Sequence, residues 1–460
     1  MHAGDLKLEL SRLFSLALPL AAAEAGTQVM SVVDMAVIGR LGGRELAATG
    51  LANAVFFGVS VFGMGLMLGV DPLISQAVGA SELVRARRNL WQGVWLGLIT
   101  AGCLTAVLLG GPLLLQVLGV QPELVAPATS YLLIRLIGLS PWLLFFVVRA
   151  YLQAHHVTRP MVVSMIVANV LNVGGDIVLV FGGHTLPEWS GVLRGIPPLG
   201  VAGAAISTVV CQLVQLAIVA AAVVRIPIPH GVAFSRRWIG ADVRRAVRVG
   251  LPTAFQVTAE VGIFVLVALL AGRMGTVDLA AHQLVITLAS FTFTVALGVA
   301  TAGSVRVGLA VGARDQERVR VAGYATFIAA AMVMSVGATL FITVPSLLAR
   351  MVTDQPGVIA ASLPLFFVAG LFQLSDGLQA AGIGALRGAA DTRFAFFSNL
   401  IGYWLIALPL ALFLGLRLHM GVVGFWWSFV AGLTTVAILV FFRFRTLSSK
   451  EITPLAEMAT

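Results

Sequence analysis

Twelve long apolar runs follow one another along this chain, and they constrain its fold more than any other feature. They cover roughly 13–38, 46–70, 90–110, 129–151, 161–182, 200–224, 249–271, 279–303, 322–344, 360–385, 394–416 and 421–443. About 20 apolar residues in helix cross a bilayer's hydrocarbon core. Inside lipid the backbone must satisfy its own hydrogen bonds, which leaves helices or a closed barrel. Barrel strands alternate in segments of about ten residues, whereas these runs are continuous, so helices are expected. Gly and Pro punctuate the gaps, as at Gly42-Gly43, Gly110-Gly111-Pro112 and Pro197-Pro198. Glycines inside the runs, such as Gly58, Gly63, Gly65 and Gly69, suit close helix packing in lipid.

Composition closes the other routes. Of 460 residues 59% are hydrophobic and 11% charged, against roughly 25% charged in an ordinary soluble domain. That charge cannot cover a soluble protein of this length, which excludes a cytosolic enzyme, a disordered chain and a nucleic-acid-binding domain. The runs leave room for short loops and no sizeable extramembrane domain. Cys103 and Cys211 lie within runs, so free thiols are expected. The first run is too long for a signal peptide and has no convincing cleavage site.

The net charge of +9 is topological. Of 29 Lys and Arg, 21 fall on one side of the alternating loops, six on the other, and Arg135 and Arg149 lie within the fourth run. By the positive-inside rule both termini are cytoplasmic. A multi-pass protein of the bacterial inner membrane is expected, with anionic headgroups beside its arginines.

The chain also repeats itself. A shift of 233 places Leu18-Pro19 on Leu251-Pro252, Gly39-Arg40 on Gly272-Arg273, and Ala77-Val78-Gly79-Ala80 on Ala310-Val311-Gly312-Ala313. Near the fifth run a shift of 234 pairs Thr158-Arg159 with Thr392-Arg393. Six spans per repeat is an even number, so the copies insert in parallel, and secondary transporters commonly bind substrate between such repeats. The fold class expected is an all-α polytopic membrane protein of two parallel six-helix repeats. Its parts are an N-terminal lobe (1–225), a basic cytoplasmic linker (226–248), a C-terminal lobe (249–446) and a cytoplasmic tail (447–460).

Ionisable groups at bilayer depth are costly and mark functional candidates. Glu24, Asp34, Asp176, Glu260 and Asp376 qualify. The alternative is that such a carboxylate pairs with Arg135 or Arg149, or lies nearer the interface than the run edges place it. Thr27, Ser31 and Asp34 make one polar stripe on the first helix, and Asn169, Asn172 and Asp176 make another on the fifth. Gln256 precedes Glu260 by four and Gln373 precedes Asp376 by three, so each carboxylate has a polar neighbour on its own face. Oxygen-rich stripes suit a hard cation such as Na⁺. They equally suit a proton, because desolvation favours a neutral carboxyl. His282 is expected to be packed or cavity-lining, since no second metal ligand lies at usable spacing. Phe291, Phe293 and Trp426-Trp427 are candidates for a cavity that takes flat cations, with packing as the commoner use. No P-loop, aspartate-rich prenyl diphosphate motif or histidine–zinc motif occurs, so neither an enzyme nor a self-contained ATP-driven pump is expected.

Over essentially its whole length the chain resembles the multidrug and toxin extrusion (MATE) family. The resemblance rests on Leu18-Pro19 with Asp34, Leu251-Pro252 with Glu260, Ala280-Ala281-His282-Gln283, Gln373 to Asp376 and Gln379, and Leu386-Arg387-Gly388 with Asp391-Thr392. It implies two six-helix lobes forming a V around a central cavity that opens to alternate faces. It also implies export of small organic cations in exchange for Na⁺ or H⁺, no cofactor beyond that coupling ion, no nucleic-acid partner, and a monomer among membrane lipids. Residue by residue, Glu260 and Asp376 match the acidic pair of the NorM-like branch. Asp34, Asn172 and Asp176 match a first-lobe polar site known from DinF-like and archaeal-type members. Thr27, Ser31, Gln256, His282, Gln283, Phe293 and Gln373 are the expected cavity residues. Glu24 matches no family role. Two rivals are a lipid-linked saccharide flippase of the same superfamily, which would want more cavity cations than Arg135 and Arg149, and a channel or receptor.

Overall fold

A computed structural model describes residues 3–117, 119–185, 188–227, 236–450 and 452–457. Residues 228–235 of the expected linker and 451 and 458–460 of the expected tail lie outside the described residues. Among the described residues every regular element is helical, and twelve helices are long and apolar enough to cross a membrane. They are α1 (Gly4–Gly39), α2 (Gly43–Gly79), α3 (Leu83–Val117), α4 (Pro122–Ala154), α5 (Arg159–Phe181) and α6 (Val201–Val224). The second six are α7 (Gly240–Gly272), α8 (Thr276–Gly312), α9 (Gln316–Thr343), α10 (Pro356–Gly388), α11 (Thr392–Arg417) and α12 (Gly421–Ser448).

Several helices outrun their apolar stretches. The second and eighth continue to Gly79 and Gly312, about two turns past the run edges at 70 and 303. Those added turns carry Asp71, Gln76 and Arg306, polar residues that end a hydropathy run without ending a helix. All three are buried, because the turns pack on protein.

The internal repeat is visible in the packing. A Cβ on Gly79 would stand 2.0 Å from the Leu309 carbonyl oxygen, and one on Gly312 would stand 2.0 Å from that of Gln76. The two contacts are one contact read twice under the 233-residue shift. Likewise Gly65 abuts Ala254, and Gly298 abuts Ala21. Only a residue without Cβ lets these backbones approach so closely. The four helices that meet here are α1 and α2 from the first half of the chain and α7 and α8 from the second. Their contacts fall on the halves of the helices nearest the chain termini, here called the terminus end.

Two further devices bind the halves at that end. Arg306 of α8 donates from Nε and Nη2 to the two carboxylate oxygens of Glu9 on α1, at 2.6 and 2.5 Å. The chain after α12 folds back so that Leu455 N–H donates to Gln76 Oε1 at 2.8 Å, while Gln76 Nε2 donates to the Gly388 carbonyl at 3.0 Å.

Candidate functional site

Four of the five carboxylates singled out by the sequence gather in two clusters, Asp34 with Asp176 in the first half of the chain and Glu260 with Asp376 in the second. In the first, α1 supplies Asp34, α5 supplies Asn172 and Asp176, and α6 supplies Ser207 and Thr208. The Asn172 amide donates to Asp34 Oδ1 at 2.8 Å and to Asp176 Oδ1 at 3.4 Å, so one side chain ties the two carboxyls together. The Thr208 hydroxyl reaches Asp34 Oδ2 at 3.4 Å, although its closer acceptor is the Ala204 carbonyl at 2.9 Å. Asn172 and Asp176 are fully buried. Asp176 Oδ2 and Asn172 Oδ1 have no hydrogen-bond donor among the described residues. Buried acceptors without donors are costly, and two of them beside a second carboxyl form a pocket of oxygens suited to a proton or a small cation.

The other members of the two stripes do not join this cluster. Thr27 and Ser31 are exposed and give their hydroxyls to the Ala23 and Thr27 carbonyls of their own helix. Asn169 ties α5 to α1 through the Gly26 carbonyl at 3.1 Å. Glu24 follows the alternative reading: Arg149 of α4 donates to its Oε1 at 2.5 Å. Arg135 lies over the Phe56 ring, 4.6 Å from its centroid, with Nε and Nη1 unbonded among the described residues.

The second cluster joins α7, α10 and α11. Glu260 Oε1 accepts from the Tyr403 hydroxyl at 3.2 Å and Oε2 from the Asn399 amide at 3.1 Å. Gln256 of α7 and Gln379 of α10 also face this carboxyl, and Asp376 lies close enough to feel its charge. Asp376 and Gln256 are buried, and Glu260 is half-buried. Gln373 Oε1 accepts from Thr292 of α8 at 2.7 Å. The groups that bond Glu260 are amides and a phenol, which donate hydrogen bonds without neutralising charge. Asn399 and Tyr403 escaped the sequence reading, although their i, i+4 spacing inside an apolar run was a usable signal. Tyr403 lies in a π-helical stretch, Leu400–Ala407, of the kind that often marks functional sites.

His282 is buried in edge contact with Trp426, ring centroids 5.9 Å apart. Trp426 is fully buried and also packs on Phe372, so it is core rather than cavity wall. Gln283 and Phe291 are exposed, and Phe293 is half-buried. Asp71 and Arg387 were missed as a charged pair. They come from opposite halves of the chain, and both are buried.

The MatE family model matches residues 19–178 and 252–413, once in each repeat. A probable multidrug resistance protein NorM of Rhizobium meliloti is 35% identical over 93% of this chain and 91% of its own length. The multidrug resistance protein MdtK of Yersinia pseudotuberculosis is 29% identical over 96% of both. Among solved structures, the eukaryotic MATE transporter AtDTX14 superposes with a TM-score of 0.84 at 19% identity, covering 97% of this chain and 99% of that one. An outward-facing multidrug resistance MATE family transporter of the MOP superfamily gives 0.84 at 19%, covering 96% of each. At that identity the likeness is one of fold.

Proposed function

Since this chain belongs to the MATE family, we propose that it exports cationic, amphipathic drugs or toxins in exchange for H⁺ or Na⁺ by alternating access. The observation that carries the reading is the second cluster, where Glu260 is bonded by the Tyr403 hydroxyl and the Asn399 amide and Asp376 lies buried within reach of its charge. Two carboxyls in low dielectric cannot both stay charged and uncompensated, so they must take up a cation or share protons. An incoming coupling ion and an outgoing organic cation then compete for one negative site, which links the two fluxes without a separate mechanical device. The Asp34–Asn172–Asp176 cluster offers a second site for the coupling ion in the other lobe. The lobes 1–225 and 249–446 would rock about the glycine-lined crossings, with the 226–248 linker as tether. With the terminus end cytoplasmic, the closed crossings correspond to a state open to the outside.

The flippase reading is weaker because Arg149, one of the two arginines of the fourth span, is paired with Glu24 and so is not free to hold a diphosphate. The test is efflux of a fluorescent organic cation such as ethidium from bacterial cells stripped of their own exporters. Wild type should lower cell-associated dye and Glu260→Gln should not, at equal membrane levels. Equal dye retention with and without the wild-type chain would overturn the reading.

A further inference from the structure

Asp71, on the terminus-end half of α2, is 5% exposed, and the residue that faces it comes from the other half of the chain. Arg387 of α10, 6% exposed, places Nη1 4.0 Å from Asp71 Oδ2. The pair is loose. No hydrogen bond joins it, and Arg387 Nε has no partner among the described residues. Contrast the Glu9–Arg306 pair at the same end, held by two short hydrogen bonds. A buried pair this poorly bonded adds little as a clasp.

The charges around Asp71 are few. Arg149 of α4 lies within electrostatic reach but is bonded to Glu24 of α1. Arg306 of α8 is taken by Glu9. From α3, Arg87 donates to the Val223 and Ile226 carbonyls and Arg88 pairs with Asp242 of α7. The other charged groups of that part of α7, Arg244, Arg245 and Arg248, occupy its first turns, where Arg245 also pairs with Asp242. Arg387 is therefore the cation that compensates Asp71, and it also feels the charge of Glu260. It stands between the second cluster and the terminus end.

The repeat shows that the fold does not require this pair. A shift of 233 puts Ser304 at the place of Asp71, and a shift of 234 puts Gln153 at the place of Arg387. The same crossing is built in the other copy without either charge. Around the pair the halves touch backbone to backbone: a Cβ on Gly69 would lie 2.2 Å from Gly250 Cα, and Gln76 bonds the Gly388 carbonyl. Parting of the halves at this end must carry Arg387 away from Asp71.

We propose that Asp71 is a third ion-binding carboxylate of the exchange cycle, the release-side acceptor that takes the coupling proton or Na⁺ when the terminus end opens and is cleared by Arg387 when it closes. The inference rests on the cation-exchange reading above. When the end opens, water reaches the carboxylate that the guanidinium has left, and this freed negative charge is the next acceptor for an ion coming down from Glu260 and Asp376. The guanidinium's return on closure expels that ion and blocks backflow.

The experiment uses full-length protein in proteoliposomes, with ethidium as the drug. Two assays run in parallel: ethidium–ethidium exchange without an ion gradient, and ethidium uptake driven separately by a pH gradient or a Na⁺ gradient. The variants are Asp71→Asn, Arg387→Gln, the double, and Arg387→Lys. The neutral double variant should exchange ethidium within about twofold of wild type yet lose driven uptake about tenfold or more, as for a group needed only in one step. Arg387→Gln should let the driving gradient decay without drug, and Arg387→Lys should not. A merely structural ion pair predicts that the double variant recovers both assays, and that result overturns the proposal. If the double variant fails to assemble, the gradient-decay comparison of Arg387→Gln with Arg387→Lys decides, with equal decay counting against it. Wild type that neither gradient drives would instead overturn the exchange reading itself.

Discussion

Breaking the Glu9–Arg306 pair should open the terminus end. Both side chains are at most 5% exposed and are joined by two charge-assisted hydrogen bonds of 2.5 and 2.6 Å. Removing one partner of such a pair strands the other charge, at about 3–5 kcal/mol. The pair links α1 to α8, helices from opposite halves, so this cost falls on the closed arrangement. Once the halves part, water hydrates whichever charge remains, and the open arrangement escapes most of the penalty. At about 1.4 kcal/mol per decade, Glu9→Gln should move the closed-to-open ratio by roughly a hundredfold to a thousandfold. Spin labels on cysteines replacing the exposed Glu82 and Glu317, with Cys103 and Cys211 changed to alanine, would report the separation of the halves. The distance distribution should gain a dominant longer population in Glu9→Gln. The exchanged pair Glu9→Arg with Arg306→Glu should recover part of the short one. A folded Glu9→Gln protein with an unchanged distribution would refute the argument, since the pair would then contribute nothing to closure.

Other substitutions probe the acidic clusters and the packing around them. Asp34→Asn keeps size and removes the charge that Asn172 holds at 2.8 Å, so dye export should collapse at normal membrane levels; Asp176→Asn should be milder, because an amide can replace one of its acceptors. In a double-mutant cycle on drug affinity at fixed pH, Glu260→Gln with Asp376→Asn should lose less than the sum of the single losses, by about 0.5–3 kcal/mol if they share a site; strict additivity would separate them. Gly79→Leu forces a side chain onto the Leu309 carbonyl, which a Cβ alone would meet at 2.0 Å, so the protein should insert but lose the closed population in the same spin-label assay. Trp426→Ala should lower detergent melting by an amount matching about 3–5 kcal/mol of lost packing while leaving drug affinity in the surviving fraction unchanged.

The twelve spans and their duplication were legible because hydropathy and the 233-residue shift are local properties of the chain. Pairing was not. Glu24 looked like Asp34 in sequence, and only the approach of α4 to α1 reveals that Arg149 neutralises it. Asp71 fell one residue beyond a run edge at 70, where a charge ended the apolar stretch but not the helix. Trp426 and Trp427 read alike, yet the turn of α12 buries the first among Phe372, Phe429 and His282. Thr27 and Ser31 share a stripe with Asp34, and their hydroxyls are spent on their own helix. Spacing places residues on one face of a helix. Which neighbour that face meets is decided by tertiary packing.

If drug leaves because a cation enters through the acidic clusters, the two fluxes must be coupled in the purified protein. That coupling is measured as ethidium movement in proteoliposomes containing the wild-type chain, with pH and Na⁺ gradients imposed one at a time at zero membrane potential. Ethidium should move uphill under at least one gradient, opposite in direction to the ion, and under neither gradient for Glu260→Gln with Asp376→Asn. Ethidium that only equilibrates under both gradients in wild type, or uphill transport that survives the double substitution, would contradict coupling through these carboxylates.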